Sequence, residues 1–92
     1  MNRLIVSSAF ERAARRLSAR GVLTRETFAA VLHLLEEDAS HPRLKTHKLR
    51  GELDGLWACS LGYDLRIVFR FVEHEGQQAV LLETIGTHDE VY

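Results

Sequence analysis

Leu65-Arg-Ile-Val-Phe-Arg-Phe-Val72 alternates along its whole length. Leu65, Ile67, Phe69 and Phe71 share one side, and Arg66, Val68, Arg70 and Val72 the other. A period of two in β-branched and aromatic residues is the pattern of a strand with one apolar face to bury. Similar alternating runs occur at Leu44–Leu49, Leu56–Leu61 and Ala79–Ile85, separated by Gly- or charge-bearing turns. The second half of the chain therefore reads as a small, mainly antiparallel sheet that needs a cover.

The cover lies in the first half. Asn2–Val6 reads as a short opening strand, and Ser8-Ala-Phe-Glu11 has the form of a capping box at the start of a helix. Phe10, Ala13, Ala14 and Leu17 then fall at i, i+3, i+4 and i+7, with Arg12, Arg15, Arg16 and Arg20 on the other side and Gly21 as the stop. Thr24 can cap a second helix whose stripe is Phe28, Val31, Leu32 and Leu35. Glu36, Glu37 and Asp38 oppose the dipole of its last turn, so fraying is expected there, and His41-Pro42 ends it. The expected fold is a single α+β domain over residues 1–92. A two-helix hairpin packs on one face of a four- to five-stranded sheet that includes the short N-terminal strand.

An apolar content of 46% and a charged content of 27% place the chain among ordinary folded domains rather than disordered ones. The formal net charge of −1 hides an asymmetry: residues 1–50 carry ten Lys/Arg against five Asp/Glu, and residues 51–92 two against eight. That balance excludes a general polyanion binder but leaves a basic half able to face phosphate. The alternative is that the two halves pair their charges across the domain. The one cysteine, Cys59, has no partner for an internal disulfide, which fits a reducing compartment. No apolar run reaches membrane-spanning length and no secretory leader is legible, so a cytoplasmic location without a membrane partner is expected.

Three segments of the second half carry the chemistry: His47-Lys-Leu-Arg-Gly51, Tyr63-Asp-Leu-Arg-Ile-Val-Phe69 and Gly86-Thr-His-Asp-Glu-Val-Tyr92. Titratable groups, a fixed cation and a stacking ring are what metal-free RNA cleavage requires. A base must take the proton of the ribose 2′-hydroxyl, an acid must protonate the leaving 5′-oxygen, and cations must balance the phosphorane charge. Histidine suits either proton-transfer role, which makes His47 and His88 the expected pair, with acid and base unassigned. Asp64 can orient an imidazole or act as the base itself. Arg66 offers a planar, bidentate phosphate clamp, or alternatively a salt bridge to Glu83 or Asp64. Tyr92 can stack on a base, or simply pack on the sheet edge. Lys45, Lys48 and Arg50 can hold flanking phosphates, or form a solvated basic edge.

The remaining polar candidates read as structural. His33 sits within the second helix as a boundary histidine, and His41 and His74 lie in exposed turns. No histidine pair has zinc spacing with a supporting cysteine pair, so neither a metal nor any other cofactor is expected. Cys59 and Trp57 alternate with Leu61 as core or core-edge residues.

With these elements placed, the chain resembles the RelE/ParE superfamily of toxins from type II toxin–antitoxin systems, and within it the YafQ-type branch of mRNA interferases. His47-Lys-Leu-Arg-Gly51 resembles that branch's H-x-L-x-G segment. Asp64-Leu-Arg66-Ile-Val-Phe69 resembles the strand shared across the superfamily, and Gly86-Thr-His88-Asp-Glu-Val-Tyr92 the terminal G-T-H motif. The resemblance implies a RelE-like fold and a ribosome-dependent endoribonuclease that cuts mRNA in the ribosomal A site. It also implies a cognate antitoxin that covers Arg66 or the Lys45–Arg50 segment, with DNA contacted only through that antitoxin. Two departures stand out: Ser60, itself a candidate for substrate binding, stands four residues before the strand aspartate where the branch often has another histidine, and the chain is slightly acidic. They motivate a second expectation, a catalytically impaired module that still binds antitoxin. A ParE-like gyrase inhibitor is a third, disfavoured by His47 and His88 together.

Overall fold

The computed structural model describes residues 1–51 and 55–92. In chain order they form β1 (Arg3–Val6), α1 (Ser8–Ala19), α2 (Arg25–Glu37), a 3₁₀ turn (Pro42–Leu44), β2 (His47–Lys48), β3 (Trp57–Leu61), β4 (Leu65–His74), β5 (Gln77–Thr87) and α3 (His88–Val91). The fold is α+β. One five-stranded sheet has the order β1-β5-β4-β3-β2, parallel between β1 and β5 and antiparallel elsewhere. No described helix is long and apolar enough to cross a membrane.

The expected stripes build the core. Phe10, Ala13 and Leu17 of α1 and Val31 and Leu35 of α2 pack with Cys59, Leu61, Ile67, Phe69, Val80, Leu82 and Ile85 from one sheet face. The opposite face is nearly bare. It carries a small second cluster of Leu49, Ala58 and Val68, flanked by Leu56 and Val91. An antiparallel sheet can leave one face to solvent in this way, and here that face is where the candidate side chains lie.

A register change decides what β5 presents. Val68 pairs with Thr84 but Phe69 pairs with Leu82, so Glu83 is an extra residue opposite the Val68–Phe69 step. Leu82 and Ile85 lie three residues apart, yet both are buried. A regular strand would turn one of them to the open face. The bulge changes phase between them, and from that point Gly86 is cross-strand from Arg66.

Ser7 secures this irregularity from across the sheet. Its backbone N–H donates to Leu82 O (3.2 Å) and its hydroxyl donates to Glu83 O (3.0 Å). The same oxygen accepts the Phe10 N–H (3.0 Å), which makes Ser7 the N-cap of α1. The expected capping box on Ser8 is therefore displaced by one residue. Ser7 has the extended backbone a cap needs, and its carbonyl receives the Glu11 N–H. Glu11 pairs with Arg15 instead (2.6 Å).

One further expectation holds and three change. The helix end at Gly21 holds: Gly21 takes φ +73°, and the N–H groups of Gly21 and Val22 donate to Ser18 O and Leu17 O in a Schellman arrangement. The second helix, by contrast, keeps Glu36 and Glu37 rather than fraying, with His33 and Glu37 3.0 Å apart. The strand expected over Leu44–Leu49 shrinks to His47–Lys48, because His41 caps a 3₁₀ turn that begins with Pro42 and Lys45 then turns left-handed (φ 52°). The charge-bearing turn expected after it lies partly outside the described residues. Finally, the last residues form α3, an element the sequence pattern did not place.

Removing the Ser7 hydroxyl strips α1 of its cap and leaves the Glu83 carbonyl without a donor. Ser7→Ala should lower the unfolding free energy by about 1–2 kcal/mol at unchanged denaturant slope. Ser8→Ala should stay within about 0.5 kcal/mol of wild type. Urea titrations of both variants followed by circular dichroism check the pair.

Candidate functional site

The open sheet face places His47, Ser60 and Arg66 together by register. His47 is cross-strand from Ala58, Ala58 from Val68, and Ser60 from Arg66. On the far side of Arg66 comes Gly86, over which the chain folds back as α3. A Cβ at Gly86 would stand 3.1 Å from Val91 Cγ1 and 3.2 Å from Glu90 Cβ. A side chain there would require Val91 and Glu90 to give by a few tenths of an ångström, so its absence lets α3 sit close on the sheet.

Helix α3 is a single turn and cannot persist on propensity. Its start is held by a reciprocal capping box: the Thr87 hydroxyl accepts from Glu90 N (3.3 Å) and Glu90 Oε1 accepts from Thr87 N (2.8 Å). Those bonds, the backbone donor first, hold the Glu90 carboxyl below its ordinary range. His88 N–H donates to Asp64 O (3.0 Å), tying the helix to the β3–β4 turn. The T-x-x-E pattern of Thr87-His-Asp-Glu90 was the available signal for this helix, and the sequence reading missed it.

The helix delivers Tyr92 to His47. The Tyr92 hydroxyl lies 3.0 Å from His47 Nε2, and its ring meets His88 edge-on at a centroid distance of 4.5 Å. His47 Nδ1 lies 3.0 Å from Lys45 O. A carbonyl oxygen only accepts, so Nδ1 carries the hydrogen. In the neutral ring Nε2 then holds a lone pair directed at Tyr92. Burial pushes the Tyr92 phenol above its ordinary pKa, while the Arg66 guanidinium beside it pulls the other way. Tyr92 therefore stays protonated and donates to His47.

Arg66 is half-buried and anchored by its own turn, donating from one guanidinium nitrogen to Leu65 O (2.8 Å) and Tyr63 O (3.3 Å). The alternative salt bridge does not form, because Glu83 pairs with Arg70 (3.6 Å). Among the described residues no carboxylate neutralises Arg66, which leaves its remaining donors for an anion.

The other candidates separate. Asp64 contributes its carbonyl to His88, and among the described residues its carboxylate bonds to neither imidazole. It lines a hollow with Val22, Leu23 and Thr24 at the end of the helical hairpin. Lys48 is cross-strand from Trp57, and its ammonium lies 5.6 Å from the indole centroid, away from His47. Lys45 is exposed and acts through its carbonyl; Arg50 is exposed beyond β2. Cys59 is fully buried, and burial pushes its thiol up to about 12, so it is no nucleophile. Among the described residues no three His, Cys, Asp or Glu side chains gather as metal ligands.

Comparison with known proteins places this arrangement. A family model described as the bacterial toxin of a type II toxin–antitoxin system, YafQ, matches residues 2–92. No curated protein matches in sequence. Among solved structures, YafQ from E. coli strain BL21(DE3) superposes with a TM-score of 0.80 at 14% identity, covering 100% of this chain and 99% of that one. The toxin in the E. coli DinJ–YafQ toxin–antitoxin complex gives 0.78 at 15% identity over 99% and 97%. A metal-bound toxin from Helicobacter pylori gives 0.79 at 26% identity over the whole of both chains.

Two outcomes test the α3 latch. Gly86→Ala should shift Glu90 and Val91 by a few tenths of an ångström and weaken the His47–Tyr92 proximity, read as reduced ring-to-ring nuclear Overhauser contacts. Acid should act on the capping box. A depressed carboxylate pKa gives stabilisation that is complete above the unfolded value, about 4.3, and is lost as pH falls through the lower folded value. Amide resonances of Thr87 and Glu90 should therefore report fraying of α3 only below about pH 4.3.

Proposed function

The chain belongs to the YafQ family of bacterial type II toxin–antitoxin toxins, and on that premise we propose that it is an endoribonuclease that cuts mRNA on the ribosome. The observation that carries this reading is the convergence of His47, Tyr92 and His88, beside Arg66, on one uncovered sheet face.

His47 is the base in this reading. Its Nε2 lone pair, fixed by the Nδ1–H bond to Lys45 O, accepts the 2′-hydroxyl proton once the Tyr92 hydroxyl yields its place. The freed oxygen attacks the adjacent phosphorus. The P–O5′ bond breaks as the protonated imidazole of His88 gives its proton to the leaving oxygen. Arg66 balances the charge that develops on the phosphorane oxygens. Atoms close on a 2′,3′-cyclic phosphate and a free 5′-hydroxyl, and no step calls for a cofactor. Tyr92 offers its ring to a base, and Ser60 and Lys45 flank the strand. Asp64 serves as the backbone support of His88 rather than as an acid or base.

An antitoxin completes the reading. The solved complex of a structurally similar toxin with DinJ supports a partner of this kind. Its covering segment would lie on the open face and bury Arg66. The competing reading is an antitoxin-binding module with little catalysis, motivated by Ser60 standing across from Arg66 where relatives often carry a histidine.

Primer extension on mRNA from cells expressing wild type should reveal in-frame cuts, and His47→Ala and His88→Ala should each reduce them by about 10²-fold or more. Cuts that persist in one variant would remove that histidine from the mechanism. No cuts from soluble wild type would transfer the assignment to the antitoxin-binding module.

A further inference from the structure

Helix α1 carries a feature that the site does not use. Arg12, Arg16 and Arg20 stand at i, i+4 and i+8 and are all exposed. They form one row that rises about 12 Å along the helix. Ala14, Arg15 and Ser18 line the groove against α2, on the other flank of the buried Phe10–Ala13–Leu17 stripe. The row therefore runs along the flank turned away from α2.

Two observations bear on this row. Arg15 pairs with Glu11, Arg3 with Glu75 and Arg70 with Glu83. Among the described residues the three row members, like Arg25, Arg43, Arg50 and Arg66, have no carboxylate within ion-pair distance, and these three follow one another along a single helix face. Like charges four residues apart repel and cost the helix stability, a cost that a bound polyanion removes. The row also ends toward the site: Val22 and Leu23, just past Arg20, line one hollow with Tyr63 and Asp64, and Asp64 O accepts the His88 N–H. Arg16 and Arg20 lie near enough to Glu90 to add to its ionisation, after the stronger Thr87 hydrogen bonds. Glu90 belongs to α3, which carries His88 and Tyr92.

We propose that Arg12, Arg16 and Arg20 form a phosphate track that holds the RNA strand outside the reacting site, next to α3. Three guanidiniums about 6 Å apart along about 12 Å of helix can each meet one phosphate of a strand drawn along the row. Each guanidinium can take a phosphate in bidentate fashion. Along α1 beside the row the exposed apolar side chains are small, Ala9 and Ala19, and the larger exposed Val6 and Val22 lie beyond its two ends. A protein interface would need a large apolar anchor there. That the held strand is the one cut rests on the endoribonuclease reading; the binding itself does not.

The test uses a fluorescent single-stranded RNA methylated at every 2′-oxygen, which cannot be cut by 2′-hydroxyl attack. Its binding is followed by anisotropy over a range of salt for wild type and for the Arg12→Gln, Arg16→Gln, Arg20→Gln triple variant. Loss of three phosphate contacts should flatten the slope of log K against log salt by about 2 and weaken low-salt binding at least tenfold. The paired Arg15→Gln should leave the slope unchanged. Should the triple variant fail to fold by circular dichroism, Arg16→Gln alone decides, with an expected change of about 0.7. Equal slopes in wild type and variant, no RNA binding by wild type, or an equal effect from Arg15→Gln would each overturn the track. So would a variant that binds RNA normally but loses an acidic polypeptide such as polyglutamate. A wild type that binds with the full slope yet cuts no unmodified RNA would instead count against the nuclease reading alone.

Discussion

The single extra residue in β5, Glu83, governs the arrangement of the molecule. Without it, Leu82 and Ile85 could not both reach the core, and the strand beyond would present the wrong side chains to each face. The Glu83 carbonyl at this step accepts the Ser7 hydroxyl from the start of α1. One hydroxyl thus connects the cap of the first helix, the edge pairing of β1 and the phase of β5. The phase in turn sets Gly86 opposite Arg66. The position of α3, and through it Tyr92 and His88, follows from that pairing.

The site is accordingly built from the ends of elements rather than from a cavity. His47 sits on a two-residue strand, Arg66 is tied to carbonyls of its own turn, and His88 hangs from the Asp64 carbonyl. None of these side chains is deeply buried. Preorganisation here comes from main-chain acceptors: Lys45 O sets the imidazole tautomer, and Leu65 O and Tyr63 O aim the guanidinium. Such a face is open enough to admit a polymer from the side, and it leaves the same groups available to a covering protein segment.

Much of this was legible in the sequence because periodicity encodes which face is buried. The alternation of Leu65–Val72 and the stripes of both helices gave the sheet, the hairpin and the identity of the open face. The pair His47 and His88, with Tyr92 and Arg66, was legible as chemistry. Details set by distant partners were not. Ser7 and Ser8 are equivalent as local caps, and only the Glu83 carbonyl, far along the chain, distinguishes them. Lys48 appeared to accompany His47, yet a two-residue strand sends neighbours to opposite faces. Asp64 carries its weight through its backbone, which no side-chain reading can reveal. The terminal turn was missed because four residues hold too little periodicity to register as a helix.

The chain has one tryptophan, and its placement makes the molecule its own optical reporter. Trp57 is half-buried, edge-on to Phe71 at 5.5 Å and beneath the Lys48 ammonium. Lys48 and His47 together make up β2. Indole emission responds to the field of a nearby cation and to the water around it. Any event that lifts or clamps that strand alters both, whether an RNA or a protein segment causes it. The resulting change in colour and intensity would arise from one known position, with no dye attached, on the strand paired with that of the imidazole.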